Sequence, residues 1–155
     1  MAETILYEKK GNIVIMTMNR PDSLNAINRQ LRQELADAIM EFDGDPEAYV
    51  AVITGAGRAF CSGRDLKERA DDNAQGIQAN ASASMTKESP FMWPRTWKPM
   101  IAAVNGFALA GGWSIAQMCD LRIASEEAKL GISETRWSLL PPFGSILPKQ
   151  IPLSA

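Results

Sequence analysis

Met100-Ile101-Ala102-Ala103-Val104-Asn105-Gly106-Phe107-Ala108-Leu109-Ala110-Gly111-Gly112-Trp113 is the stretch from which the fold reads outward. Its first five residues form an unbroken apolar run, too short for a helix and closed by Asn105-Gly106, which predicts a strand covered on both faces. A short helix, Trp113 to Cys119, follows, and then another apolar run, Leu121 to Ala124, which reads as a further strand. Upstream, Val50 to Thr54 repeats the pattern, a short apolar run closed by Gly55-Ala56-Gly57. Strands alternating with glycine-rich turns and helices indicate an α/β architecture around a largely parallel sheet.

The N-terminal part fits this plan. Ile13 to Met18 follows Gly11-Asn12 and stops at Asn19-Arg20-Pro21, so it reads as a strand, paired with Thr4 to Glu8 in a hairpin. Ile27, Leu31, Leu35, Ile39 and Phe42 recur at spacings of four, four, four and three, which keeps them on one helical face, with Gly44 in place as a residue just past the helix end. Asp71 to Ser89, rich in Asn, Gln, Ala and Ser, reads either as a solvated helix or mobile loop, or as a flexible lid over a site.

Composition removes whole classes of function. The chain has 155 residues, 18 acidic against 16 basic, and no histidine. A chain near this length buries about 70% of its extended surface on folding, which suits one domain spanning residues 1–155. Without histidine, Ser-His-Asp and Cys-His catalysis and His-ligated zinc are out of reach, and no metal site is expected. The near-balanced charge lacks the basic stripe of a nucleic-acid binder. Cys61 and Cys119 are far apart with no CxxC partner, which reads as two reduced thiols of a cytoplasmic protein. The start lacks the basic and apolar regions of a secretory signal, and the longest apolar candidate for a membrane span, Met100 to Trp113, falls short of the roughly 20 residues needed.

Two glycine-containing stretches carry the chemistry. Ala59-Phe60-Cys61-Ser62-Gly63-Arg64-Asp65-Leu66 follows the strand ending at Thr54, and Asn105 to Trp113 follows the strand ending at Val104. Ligands collect at the carboxyl ends of parallel strands, and amides in turns that open a helix are unpaired and favour negative charge. Two such N–H groups, one from each stretch, can hold one oxyanion. Taken alone, a Gly-Gly before a helix is as well explained by packing. Neither stretch is a phosphate loop, since Gly-Lys-Ser/Thr is absent, and Gly55-Ala56-Gly57 lacks the third glycine of a dinucleotide fingerprint.

Phe60 to Leu66, Ala103 to Gly112 and Cys119-Asp120-Leu121-Arg122-Ile123-Ala124-Ser125, preceded by Asn19-Arg20-Pro21 and Leu24-Asn25-Ala26-Ile27, together resemble the crotonase (enoyl-CoA hydratase/isomerase) superfamily, in order and over nearly the whole chain. The resemblance implies a spiral of ββα units that binds acyl-CoA thioesters, with coenzyme A as part of the substrate and no other cofactor. It implies a homo-oligomer, a trimer or dimer of trimers, and no membrane. Carried over residue by residue, the oxyanion donors are the N–H groups of Arg64 and Gly111, and Glu134 in Leu130-Gly131-Ile132-Ser133-Glu134-Thr135 falls on a catalytic glutamate of family hydratases. Read without the family, such a carboxylate is a surface cap or ion-pair partner. Ala26, Phe60, Ser62, Asp65, Leu66 and Trp113 fall on substrate-binding positions.

The departures from the family pattern sharpen the expectation. Family hydratases place a first glutamate shortly after Gly-Gly, where this chain has Ser114, a hydroxyl with no histidine to activate it. Hydration by a glutamate pair is therefore in doubt, and single-carboxylate chemistry such as double-bond isomerisation stays open. Leu140-Pro141-Pro142-Phe143-Gly144 replaces a Pro-Gly-rich loop, which alters the pocket floor. Asp22 stands where many members have a lysine near the CoA phosphates, leaving Arg20, Arg64 or a neighbouring subunit for that contact. The chain stops in an apolar stretch, Ile146 to Ala155, which reads as an N-terminal core lacking the C-terminal helical part of its relatives. Two other readings remain: a catalytically weak acyl-CoA-binding or assembly protein, and a CoA-ester hydrolase or decarboxylase using the same amide pair.

Overall fold

The structure, a computed structural model, describes residues 3–77 and 93–134. Strands β1 (Ile5–Lys10) and β2 (Ile13–Met18) form an antiparallel hairpin, Ile5 opposite Met18 and Lys10 opposite Ile13, with Gly11 at the turn (φ +60°). Strands β3 (Val50–Gly55), β5 (Met100–Val104) and β7 (Leu121–Ala124) extend β2 in parallel, giving the order β1-β2-β3-β5-β7. The chain crosses over through helices α1 (Arg29–Gly44), α2 (Leu66–Ala74) and α3 (Gly111–Met118).

A second, three-stranded parallel sheet was not foreseen. It consists of β4 (Ala59–Cys61), β6 (Phe107–Leu109) and β8 (Lys129–Gly131), in that order. Strands β3, β5 and β7 are each followed by a three-residue strand of the small sheet and then, for β3-β4-α2 and β5-β6-α3, by a helix: the ββα repeat. The two glycine-containing stretches are therefore not simple turns at the edge of the main sheet. They leave it, pair in the small sheet, and turn again.

Helix α1 starts where Asn28 accepts a hydrogen bond from the Leu31 N–H at 2.8 Å, satisfying one orphan donor of the first turn. Leu31, Leu35, Ala38, Ile39 and Phe42 bury its apolar face against the sheet. Ile27 shares that core but precedes the helix. Gly44 is the last helical residue rather than the one past the end; the cap is Asp45, with extended backbone (φ −85°). The end carbonyls of Phe42 and Asp45 accept from Lys98 Nζ at 2.8 and 2.6 Å, so a lysine supplies what a left-handed glycine would have supplied. Helix α3 begins at Gly111, two residues earlier than the apolar pattern indicated.

The expectation that β3 and β5 are covered on both faces is corrected among the described residues. Ala51, Ile53 and Gly55 are buried while Val50, Val52 and Thr54 are half-buried, and β5 alternates likewise. All four residues of β7 are exposed. Among the described residues no helix is long and apolar enough to cross a membrane. Cys61 and Cys119 are free and buried, and burial pushes each thiol up to about 12, which leaves both unreactive.

The hairpin is tied to α1 by one carboxylate. Glu34 Oε2 accepts from Thr4 N–H at 2.7 Å, Thr4 Oγ1 at 2.6 Å and Ile5 N–H at 3.0 Å. Burial works against ionisation of Glu34, but these bonds and one from Gln30 outweigh it and hold the carboxyl below its ordinary range. A depressed native pKa adds stability above the unfolded value of about 4.3 and loses it as pH falls through the native value. Glu34→Ala should therefore lower stability by about 1–2 kcal/mol at pH 7, with the difference shrinking on acidification, read by urea denaturation at several pH values.

Candidate functional site

The first glycine-containing stretch is held by the loop before α1. Asn25 is fully buried in the left-handed region (φ 55°), a conformation Asn tolerates better than most residues. Its Oδ1 accepts from Arg20 N–H at 2.8 Å, and its Nδ2 donates to the carbonyls of Ala56 and Ala59 at 2.9 and 2.7 Å. The loop then runs parallel to residues 62–65: Ser62 N–H donates to Leu24 O, Ile27 N–H to Gly63 O, and Asp65 N–H to Ile27 O. Ile27 and Arg64 are thus partners in a parallel bridge. In such a bridge the flanking carbonyl and amide of one chain bond the partner residue, so the N–H of Arg64 itself is turned to the other side. It has no acceptor among the described residues.

The second stretch is held by the small sheet. Leu109 pairs with Gly131, and Ala110 N–H donates to Gly131 O at 2.9 Å. Ala110 then turns through φ 53°, ψ −124°, a backbone shape suited to glycine that costs a side-chain-bearing residue about 1–3 kcal/mol and persists only where its surroundings impose it. This turn starts α3, with Ser114 N–H on Ala110 O at 3.1 Å, and leaves the Gly111 N–H as a first-turn donor without an acceptor among the described residues.

The two turns that carry these nitrogens lie against each other. A Cβ built on Gly63 (φ +95°) would lie 3.2 Å from the Gly111 nitrogen and 2.8 Å from Ala110 Cβ; one built on Gly111 would lie 4.0 Å from the Arg64 nitrogen and 3.8 Å from Gly63 Cα. Helix α3 reaches this position because Gly112 lets it pack on β4: a Cβ there would stand 2.1 Å from Cys61 O. The N-terminal end of the α3 dipole adds to the pull on negative charge.

Glu134 lies three residues past Gly131, the end of β8. Its Oε2 is fully enclosed without a hydrogen-bond partner among the described residues. Desolvation raises its pKa, against the pull of its own and the Ser133 N–H groups. Ser114, one turn into α3, is buried, and Trp113 is half-buried against the core.

The remaining positions separate into lining and scaffold. Ala26 is buried and Ser62 half-buried along the paired loops, while Leu66, the first residue of α2, is 57% exposed. Phe60 lies fully buried in the hydrophobic core. The Asp65 carboxylate caps α2 through the N–H groups of Lys67 and Glu68 at 3.0 and 3.3 Å, and pairs with Arg20 at 2.9 Å. Burial opposes its ionisation, but Arg20 and those amides hold it below the usual carboxylate range. Arg20 also donates to Ala26 O, so its guanidinium is committed to the scaffold rather than free for a phosphate. Among the described residues no three His, Cys, Asp or Glu side chains stand together as a metal site. A cavity of about 510 Å³ lined by Trp93, Arg95, Trp97, Met100, Met118 and Asp120 includes neither amide nor Glu134 in its lining. The Leu140 to Gly144 loop, the apolar end from Ile146, and residues 78–89 of the lid candidate lie outside the described residues; residues 71–74 are the last turn of α2.

Asn25 and Ala110 are the site-shaping residues that pattern reading missed. Their left-handed backbones are not periodic features; the one available signal was Leu24-Asn25 between a turn and a helix.

Comparison with known proteins bears on what this arrangement belongs to. A family model described as enoyl-CoA hydratase/isomerase matches residues 8–155. The chain is 43% identical over 143 residues to a probable enoyl-CoA hydratase, echA8, of Mycobacterium bovis, covering 92% of this chain and 54% of that protein. It is 40% identical over 150 residues to enoyl-CoA hydratase EchA19 of Mycobacterium tuberculosis, covering 95% of this chain and 56% of the relative. The crystal structure of a probable enoyl-CoA hydratase/isomerase from Mycobacterium abscessus superposes with a TM-score of 0.83 at 39% identity, covering 99% of this chain and 59% of that one. The chain spans about half the length of the curated relatives it matches.

Proposed function

The chain belongs to the enoyl-CoA hydratase/isomerase family, and from that premise we propose that the gap between Arg64 and Gly111 receives the carbonyl oxygen of an acyl-CoA thioester. The observation that supports this most is the pair of acceptor-free amides on two turns that lie against each other. Fixed N–H dipoles in an enclosed site stabilise charge that develops on a carbonyl oxygen, and one such donor is worth about 10²–10³ in rate. Polarised in this way, the thioester accepts charge as an enolate when a proton leaves its α carbon or when a nucleophile adds at its β carbon. Glu134 is the proposed proton carrier: its oxygen is unpartnered among the described residues, and desolvation raises its pKa, which suits it to take and return a proton.

Ser114 stands where hydratases of this family place a second carboxylate, which favours chemistry needing one proton carrier, such as moving a double bond, or a water oriented by the hydroxyl. Coenzyme A enters as part of the substrate and no separate cofactor takes part in this scheme. The working unit is a homo-oligomer, a trimer or dimer of trimers, and the two free thiols fit a reducing compartment such as the cytoplasm.

A panel of enoyl-CoA and 3-oxoacyl-CoA thioesters incubated with the intact protein tests the proposal, with products resolved by chromatography. Hydroxyacyl-CoA or a shifted enoyl-CoA is the expected outcome. The missing carboxylate at Ser114 also supports a second reading, a binding or assembly protein, for which the result is tight binding without turnover. Release of free CoA would point to a hydrolase using the same amide pair.

A further inference from the structure

The proposed donor of Arg64 is the last link of a hydrogen-bonded chain that starts at a cation. Gly63 O and the Arg64 N–H are the two ends of one trans peptide unit, and Gly63 O accepts from Ile27 N–H at 2.7 Å. Ile27 N–H is in turn the far end of the unit whose carbonyl, Ala26 O, accepts from the Arg20 guanidinium. Arg20 is fixed along its length. Its N–H donates to Asn25 Oδ1 at 2.8 Å, its carbonyl accepts from the N–H groups of Ser23 and Asn25 at 3.0 and 2.9 Å, and its other terminal guanidinium nitrogen donates to Asp65 Oδ2 at 2.9 Å. The guanidinium thus spans the Ile27–Arg64 bridge, holding the residue before Ile27 and the residue after Arg64. The two side chains are only 20% and 12% exposed, so water screens the pair weakly. Hydrogen bonds in series polarise one another, and a cation at the head makes each later N–H a stronger donor. The Gly111 donor has a different support: the carbonyl of its peptide unit, Ala110 O, accepts from the Ser114 N–H of α3 at 3.1 Å.

We propose that Arg20 is a positioning residue for the oxyanion donor: seated on Asp65, its guanidinium orients and polarises the Arg64 N–H through the two peptide units between them. The inference rests on the reading above of that N–H as a donor to the thioester oxygen. An arginine suits the task because its planar fork reaches a carbonyl and a carboxylate at once, where a lysine ammonium is a single point of charge. The two oxygens of Asp65 have separate tasks, Oδ2 holding Arg20 while Oδ1 caps α2 through Lys67 and Glu68. Asparagine is as good a helix cap as aspartate, so Asp65→Asn keeps an oxygen for the cap and turns an NH2 group toward Arg20. That variant separates the relay from the scaffold.

Arg20→Met should lower kcat on a turned-over enoyl-CoA about 5- to 50-fold, less than the about 10²–10³ of a donor lost outright, with KM within about threefold. Arg20→Lys should recover part of that loss. Asp65→Asn should lower kcat about 3- to 10-fold, and in the Arg20→Met background it should add almost nothing, since both changes act through one contact. A scaffold role alone predicts lower stability toward urea with kcat unchanged in folded protein; that result, or additive losses in the double variant, overturns the proposal. The closing measurement needs no turnover. In ¹⁵N-labelled Arg20→Met and Asp65→Asn saturated with a CoA thioester bearing a stable enolate mimic, the downfield shift of the Arg64 amide should shrink by about a quarter to a half while that of Gly111 is kept. An Arg64 response equal to that of wild type, or the same loss at both amides, overturns the role of Arg20 and leaves the oxyanion reading standing. Wild-type protein in which neither amide responds to the bound mimic overturns the oxyanion reading and this inference with it.

Discussion

Glu134→Gln should lower kcat on a turned-over enoyl-CoA by about 10²–10⁴-fold while leaving the affinity for the CoA ester within a few-fold, since the change removes proton transfer and little else. The same variant should be no less stable than wild type at neutral pH. Desolvation raises the carboxyl pKa in the folded protein, so the neutral form is the better accommodated one. Its contribution to stability is full below the unfolded value of about 4.3 and is lost as pH rises through the raised native value. An amide in its place is relieved of that loss. In wild type, if the ionised form is the working base, the acid limb of kcat/KM lies above the ordinary glutamate range. Urea denaturation alongside steady-state kinetics reads both effects. A variant with unchanged kcat would take Glu134 out of the mechanism, and the enclosed oxygen would then be a structural feature only.

Gly63→Ala should be nearly as damaging by a different route. The proposed oxyanion donors are backbone groups, so no side-chain deletion removes them; they are lost by moving the turn. At φ +95° an alanine is strained, and its Cβ would lie 2.8 Å from Ala110 Cβ, 2.9 Å from Leu109 O and 3.2 Å from the Gly111 nitrogen. The chain must give way at the place where both donors are set. A fall of about 10²–10³ in kcat/KM is expected, comparable with losing one oxyanion donor. Because the tightest contact is with Ala110, the double variant Gly63→Ala/Ala110→Gly should recover part of that activity by removing the opposing methyl group and relaxing the turn at 110. Failure of the second change to help, in protein that remains folded by circular dichroism, would show that the turn is not what fixes the donors.

What the amino-acid sequence disclosed follows from the range over which each signal acts. Strands β2, β3 and β5 and helix α1 were legible because their apolar residues run or recur over five or more positions. The small sheet was not, because strands of three residues such as Ala59–Cys61 and Phe107–Leu109 carry no period, and they exist by pairing with segments far along the chain. Lys98 closing the end of α1 in place of Gly44 is the same kind of event, a partner more than 50 residues away satisfying carbonyls that local reading gives to a glycine. At the site, the positions of Arg64 and Gly111 were legible through their glycine neighbours. The direction of their N–H groups depends on the Ile27 bridge and the Ala110 turn, both products of tertiary structure. Asp65 shows the opposite outcome: a carboxylate in the right stretch, yet committed to a helix cap and to Arg20.

The most direct test places a reporter on each donor. Protein labelled with ¹⁵N is titrated with a non-reacting CoA thioester whose carbonyl is replaced by a stable enolate mimic, and the backbone amide resonances of Arg64 and Gly111 are followed. Both amide protons should move downfield together along one binding curve, with slowed exchange in the saturated complex. A ligand that binds while one of these amides, or both, stays where it was in the free protein would contradict the shared oxyanion site.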